Sequence, residues 1–179
     1  MVINPRGLRA YVRNDTFFKA VPLVLEVLPN VRFSCPTMAG APEAERWVRE
    51  LSINHVVKLL PRQSRAEMAD LFRMAQVVVS PSTHDGTPNT LLEALACGCF
   101  PVVGDIEPLR EWITQGANGF LINPADPQEL ANAIIASLQN LKLRTQAQKE
   151  NARLIAERAE YYQAMRQAAK FYRSLITAN

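Results

Sequence analysis

Short apolar runs rich in β-branched residues alternate with helix-period segments from one end of this chain to the other, and that alternation leaves few folds open. The runs lie at residues 1–4, 31–35, 55–60, 76–80, 100–104 and 119–122. Between them the periodicity predicts helices over 16–28, 42–51, 65–74, 88–97, 108–113 and 127–138. This is the sequence form of βαβ units, so the expected fold class is α/β: a doubly wound, parallel, six-stranded sheet. Four of the six helices open on proline, whose missing N–H would be unpaired at a first helical position anyway. Ser64, with Glu67 three residues on, forms the pattern of a capping box at the third helix.

From Lys142 the composition turns to Ala, Gln, Arg, Lys and Glu, and ends in Tyr161, Tyr162, Met165, Ala169, Phe171, Tyr172 and Leu175 at helical spacing. One long helix or two in series are expected there. An apolar stripe of this kind is usually core packing, with a helix lying against another domain as the functional alternative. Residues 1–140 therefore read as one domain and 141–179 as a helical extension packed on it. Met1 already falls in the first predicted strand with nothing before it to cover that edge of the sheet, so the chain reads as an excised piece.

With 179 residues, 48% of them hydrophobic, such a domain can bury a full core without staples. The net charge of +3 arises from 20 basic and 17 acidic residues spread along the whole length, which argues against a nucleic-acid partner. Cys35, Cys97 and Cys99 lack paired spacing and suit a reducing compartment, making the cytoplasm the expected address. No basic start followed by an apolar run and no stretch of about 18 apolar residues occurs, so neither secretion nor membrane spanning is expected. Peripheral membrane contact stays open.

Ligands of open parallel sheets bind beyond the carboxyl ends of the strands, where loops and helix N-termini converge. Three such loops are unusually polar: residues 5–15, 81–89 and 105–111. The middle one begins the stretch Ser80-Pro81-Ser82-Thr83-His84-Asp85-Gly86-Thr87-Pro88-Asn89-Thr90-Leu91-Leu92-Glu93-Ala94, a strand end, a polar turn and a helix start. Gly86 allows close backbone approach or a positive φ. The free N–H groups around Asn89 and Thr90, with the helix dipole behind them, suit an anionic phosphate. Asp85 and Glu93 can both face the crevice mouth and accept hydrogen bonds from sugar or ribose hydroxyls. The competing structural reading makes Asp85 a helix cap and Glu93 a solvated or ion-paired side chain.

That order of residues, followed by Ala-Cys-Gly and Pro-Val-Val, resembles the donor-site signature of retaining glycosyltransferases of the GT-B fold, most closely their large family four. The resemblance runs in order from about Val2 to Leu138 and includes Asn118-Gly119-Phe120-Leu121-Ile122-x-Pro-x-Asp-Pro. It implies a Rossmann-like domain forming one half of a GT-B fold, with an N-terminal acceptor domain absent from this chain. It implies that Glu93 holds ribose hydroxyls and that Asp85 lies beside the transferred sugar. Gly86, Thr87, Asn89 and Thr90 would meet the phosphates and sugar, and the backbone near Leu60 together with Arg62 would meet the base. Glu111 matches a Glu at the end of the family's next loop. Positive charge for the diphosphate would come from Arg6 and, nearest the family's Lys position, Arg13. Two departures stand out: the first acid is Asp where Glu is usual, and Gly-Phe-Gly-Leu is replaced by Gly-Thr-Pro-Asn, in which Pro88 has no N–H to offer.

The function so implied is transfer of a sugar from a nucleoside diphosphate sugar, a substrate rather than a cofactor, to an acceptor hydroxyl on a glycan, lipid or small molecule. No cofactor is expected, and no metal site either, because Asp-x-Asp is absent and the only histidines are His55, at a strand start, and His84, which borders the crevice. Cys97-Gly98-Cys99 has too short a spacing for zinc and reads as a packed helix end. A dinucleotide oxidoreductase would need Gly-x-Gly-x-x-Gly after an early strand, which is missing. A sugar-nucleotide epimerase domain and a non-catalytic nucleotide-sugar-binding module are the remaining alternatives.

Overall fold

The computed structural model describes residues 1–86 and 89–177. Its strands are β1 (Val2–Ile3), β2 (Phe33–Cys35), β3 (Val57–Leu59), β4 (Val77–Ser80), β5 (Phe100–Gly104) and β6 (Phe120–Ile122). The helices are α1 (Asn14–Val27), α2 (Pro42–Glu50), α3 (Arg65–Met74), α4 (Asn89–Ala96), α5 (Glu107–Arg110), α6 (Pro127–Gln139), α7 (Leu141–Arg158) and α8 (Tyr161–Thr177). All strand pairs are parallel, in the order β3-β2-β1-β4-β5-β6. The predicted doubly wound, Rossmann-like sheet is therefore the one that forms.

Alternation within the strands divides the core in two. Val2, Val77, Val79 and Val102 point to one face, where Phe17, Phe18, Val21 and Val24 of α1, Ala44 and Val48 of α2, and Leu130 and Ile134 of α6 cover them. Ile3, Val78 and Val103 point to the other, against Phe72 of α3, Leu91 and Leu95 of α4, and Leu109 of α5. Helices on both faces cover the sheet, which is why its central strands β1, β4 and β5 are buried throughout and largely apolar. Local signals agree with these ends: Ser64 Oγ accepts from Glu67 N–H while Glu67 accepts from Ser64 N–H, closing the capping box. Pro42 and Pro127 open α2 and α6.

β1 corrects one expectation. It lies between β2 and β4, and the sheet edges are β3 and β6, so the start of the chain leaves no sheet edge bare. His55 likewise sits in the exposed turn before β3 rather than in the strand.

The two C-terminal helices behave differently. α7 passes from one core to the other, with Ala147 in the first and Leu154 and Ile155 against the second. α8 begins on a cap from Glu160, whose carboxylate accepts from the N–H groups of Tyr162 and Gln163. Its stripe is not core: Tyr161, Tyr162, Met165, Phe171, Tyr172 and Leu175 are 52–69% exposed. α7 is thus packed on both cores, whereas the stripe of α8 is uncovered among the described residues. Spacing makes a stripe, but only a facing surface buries it, and the described residues offer none. No helix among the described residues is long and apolar enough to cross a membrane.

Candidate functional site

Three loops meet at the carboxyl ends of β1, β4 and β2. The first is shaped by two buried asparagines. Asn4, directly after β1, donates through Nδ2 to Asn14 Oδ1 at 3.0 Å, and Asn14 Nδ2 donates to the Gly7 carbonyl at 2.9 Å. Gly7 takes φ +63°, a conformation that favours glycine. The loop is thereby drawn tight, and Arg13 N–H donates to Pro81 O while Val12 bridges Ser82, which ties it to the loop after β4.

This knot sets Arg6. Its Nη2 donates to Asp85 Oδ2 at 2.6 Å and its Nη1 to Thr90 Oγ1 at 2.8 Å, in the first turn of α4. The side chains of Arg6 and Asp85 are 12% and 13% exposed, so water screens this pair little. Arg6 Nε is buried without an acceptor among the described residues. An enclosed N–H left unmet costs about 1–3 kcal/mol, so the guanidinium holds capacity for one more acceptor. Tyr11 lies 5.9 Å from the guanidinium, and Pro5, Arg6, Gly7, Tyr11, Thr37 and Thr90 line part of a cleft of about 370 Å³.

The other predicted residues are placed as follows. Arg13, at the N-cap of α1, is engaged by Asp15 in a two-pronged pair at 2.8 and 2.9 Å and lines the adjoining groove with Trp47 rather than the Arg6 cleft. The Arg13 hydrogen bond holds the Asp15 carboxyl below its usual range. Asp85 accepts from Arg6 and from the Gly86 N–H at 3.0 Å. Gly86 is not in the positive-φ region, and among the described residues a Cβ there would meet nothing within 4 Å, so the positive φ allowed for it is not used. Thr87 and Pro88 lie outside the described residues.

Asn89 is exposed at the start of α4, and Glu93, one turn on, is exposed on the same side of the helix. Leu60 has its N–H on Cys35 O and its carbonyl taken by Met38 and Ala39 N–H, which leaves the exposed Arg62 as the freer of that pair. Glu111 is exposed, and its carbonyl accepts from Arg158 of α7. His84 is exposed beside Asp85.

Sequence reasoning missed Asn4, Asn14, Gly7, Tyr11 and Thr37. A polar residue at a strand's carboxyl end and a lone aromatic in a basic loop were the signals available for Asn4 and Tyr11. Partnership between Asn4 and Asn14, ten residues apart, is visible only in three dimensions.

Cys97-Gly98-Cys99 ends α4, with Gly98 at φ +88° and Cys99 N–H returning to Ala94 O. Burial pushes the Cys99 thiol up to about 12 and raises Cys35 and Cys97 as well, so none is poised as a nucleophile. Among the described residues no group of three or more His, Cys, Asp or Glu could hold a metal ion.

The family model for glycosyl transferases group 1 matches residues 5–154. A D-inositol 3-phosphate glycosyltransferase of Corynebacterium urealyticum is 31% identical over 133 residues, which are 74% of this chain and 31% of that protein. The chain spans about a third of the length of the curated relatives it matches. In fold it resembles HepE of Anabaena, solved with UDP and glucose, at a TM-score of 0.86 and 20% identity, over 97% of this chain and 48% of that one. The C-terminal domain of the group 1 glycosyl transferase LpcC from Francisella tularensis superposes at a TM-score of 0.77 and 20% identity, over 89% of this chain and 86% of that domain.

Proposed function

This chain belongs to the glycosyl transferases group 1 family, and from that premise we propose that it is the donor-binding half of a retaining glycosyltransferase. It binds a nucleoside diphosphate sugar whose sugar passes to an acceptor hydroxyl with its anomeric configuration kept. The observation that carries this reading is the enclosed Arg6 guanidinium, fixed by Thr90 at the N-terminus of α4. A fixed cation and the first N–H groups of a helix converge where a diphosphate needs both.

Glu93 accepts from ribose hydroxyls, Asp85 faces the sugar, and Gly86, Asn89 and Thr90 surround the phosphates. Arg62, beside Leu60, meets the base. As the sugar departs, charge grows on the diphosphate and Arg6 stabilises it, and losing one such preorganised donor typically costs about 2.7–4 kcal/mol in the barrier. Arg13 joins in by leaving Asp15. The protein supplies charge and position rather than a cofactor.

A wall for the acceptor comes from a second domain, and the apolar face of α8 docks against it. Because the superposition on HepE takes in 97% of this chain but only 48% of HepE, α8 belongs to the part shared with a protein twice as long. The three free cysteines suit a reducing compartment, and the cytoplasm is the proposed address.

Thermal shift with UDP-, GDP- and ADP-sugars tests the reading. At least one should raise Tm, and Glu93→Ala should diminish that rise. If all three leave Tm unmoved, the donor-site assignment fails. The chain alone should transfer no sugar, and measurable transfer would overturn the need for a second wall.

A further inference from the structure

We propose that Asp85 occupies the place on Arg6 that the donor's diphosphate takes, so that donor binding exchanges one anion for another and releases Asp85 toward the sugar. The inference rests on the donor-site reading above and adds a resting state to it.

Three observations support the exchange. Arg6 Nη2 reaches Asp85 Oδ2 at 2.6 Å, in a pair with little exposure on either side chain. Nη1 is held separately by Thr90 Oγ1, so the guanidinium keeps its place when its other edge is vacated. Nε has no acceptor among the described residues, so the edge formed by Nε and Nη2 is only half satisfied by Asp85. A planar guanidinium edge presents two parallel N–H groups that match two oxygens of one phosphate. A diphosphate can satisfy both donors, carries more charge than a carboxylate, and gains the N-terminus of α4 at the same time.

Asp85 left in place would face that charge at close range and be repelled. The acid proposed to meet the sugar is therefore withheld until the diphosphate has arrived, whereas Glu93, exposed on α4, is available from the outset. A nucleoside without phosphates should bind the base and ribose positions and leave Asp85 on Arg6.

The test follows the Arg6 Nε–H proton and the Asp85 carboxyl carbon by NMR as the whole chain is titrated with UDP, ADP, GDP and uridine. At least one diphosphate should shift both signals in parallel along one binding curve, and uridine should shift neither. Calorimetry supplies the second measurement. Asp85→Asn, checked for folding by its melting curve, should bind the same diphosphate about three- to tenfold more tightly, since the competing carboxylate is gone.

A diphosphate that saturates the chain while the Asp85 signal stays unmoved overturns the exchange but leaves the donor site standing, as does unchanged affinity in folded Asp85→Asn. If no diphosphate binds either protein, or if Arg6→Ala binds as well as the unaltered chain, the donor-site reading itself fails and the exchange with it.

Discussion

Two glycine-bearing stretches carry the family resemblance, the Ser82 to Glu93 segment at the crevice and the Asn118-Gly119 turn before β6, and their polar groups have opposite fates. Asn118 is 6% exposed and fully engaged. Its Nδ2 donates to Trp112 O and to Asn151 Oδ1, its Oδ1 accepts from Thr114 N–H, and its carbonyl accepts from Asn151 Nδ2. Gly119 is needed because a Cβ there would stand 2.5 Å from Pro101 Cγ and 2.8 Å from Ile113 Cγ2. At the crevice, Gly86 has open space among the described residues, and Glu93 and Asn89 are exposed. Motif membership is thus no measure of function. One stretch ties α7 to the turn before β6 through Asn118 and Asn151, whereas the other keeps Asn89 and Glu93 exposed.

The largest expected effect in breaking this contrast comes from Asn151→Ala. It removes two buried hydrogen bonds of Asn118 at once, and should destabilise the protein by about 2–4 kcal/mol. In a chain of this size that lowers Tm by about 2–4 °C per kcal/mol, with α7 losing hydrogen-exchange protection first. A Tm within a degree of the unaltered chain would show that the turn does not anchor α7.

Next comes Gly119→Ala, which overpacks Pro101 and Ile113 and should cost about 1–3 kcal/mol, read by urea unfolding at unchanged m-value. The matching change at the crevice, Gly86→Ala, should alter stability by less than about 1 kcal/mol in either direction, yet weaken nucleotide-sugar binding in calorimetry. If Gly86→Ala unfolds the protein as readily as Gly119→Ala, the distinction between the two stretches collapses.

The smallest effect belongs to Asp15, beside the crevice. Its carboxyl is held below its usual range by the Arg13 hydrogen bond, so its contribution is present above the unfolded carboxylate pKa and is lost as pH falls through the lower folded value. With Arg13 37% and Asp15 30% exposed, the pair is worth no more than about 1 kcal/mol. Asp15→Asn should therefore melt slightly below the unaltered chain at pH 7, the gap closing at pH values below the folded pKa. A gap that persists there would assign the effect to something other than the ion pair.

Much of the molecule is legible without coordinates because its signals are local. Val77-Val78-Val79 is a strand by its branching and apolarity, α3 starts at Ser64 by its capping box, and the segment from Asn89 is a helix after a polar turn. The Asp85 and Glu93 spacing marks the candidate site for the same reason, since it depends on one loop and one helix. Arg6 was legible as a charge but not as a partner of Asp85 and Thr90, 79 and 84 residues away. Leu60 looked available for a base until the loop at residues 36–39 claimed its backbone.

Sequence alone determined the parallel α/β fold, the places of its strands and helices, and the loops where chemistry would sit, because periodicity, caps and turns act over a few residues. Tertiary structure decided which polar groups those loops leave open, which strand lies inside the sheet, and that the stripe of α8 stays bare while the plainer α7 is buried. Those outcomes depend on what stands opposite each surface, and opposition between distant segments is not written in any local run of residues.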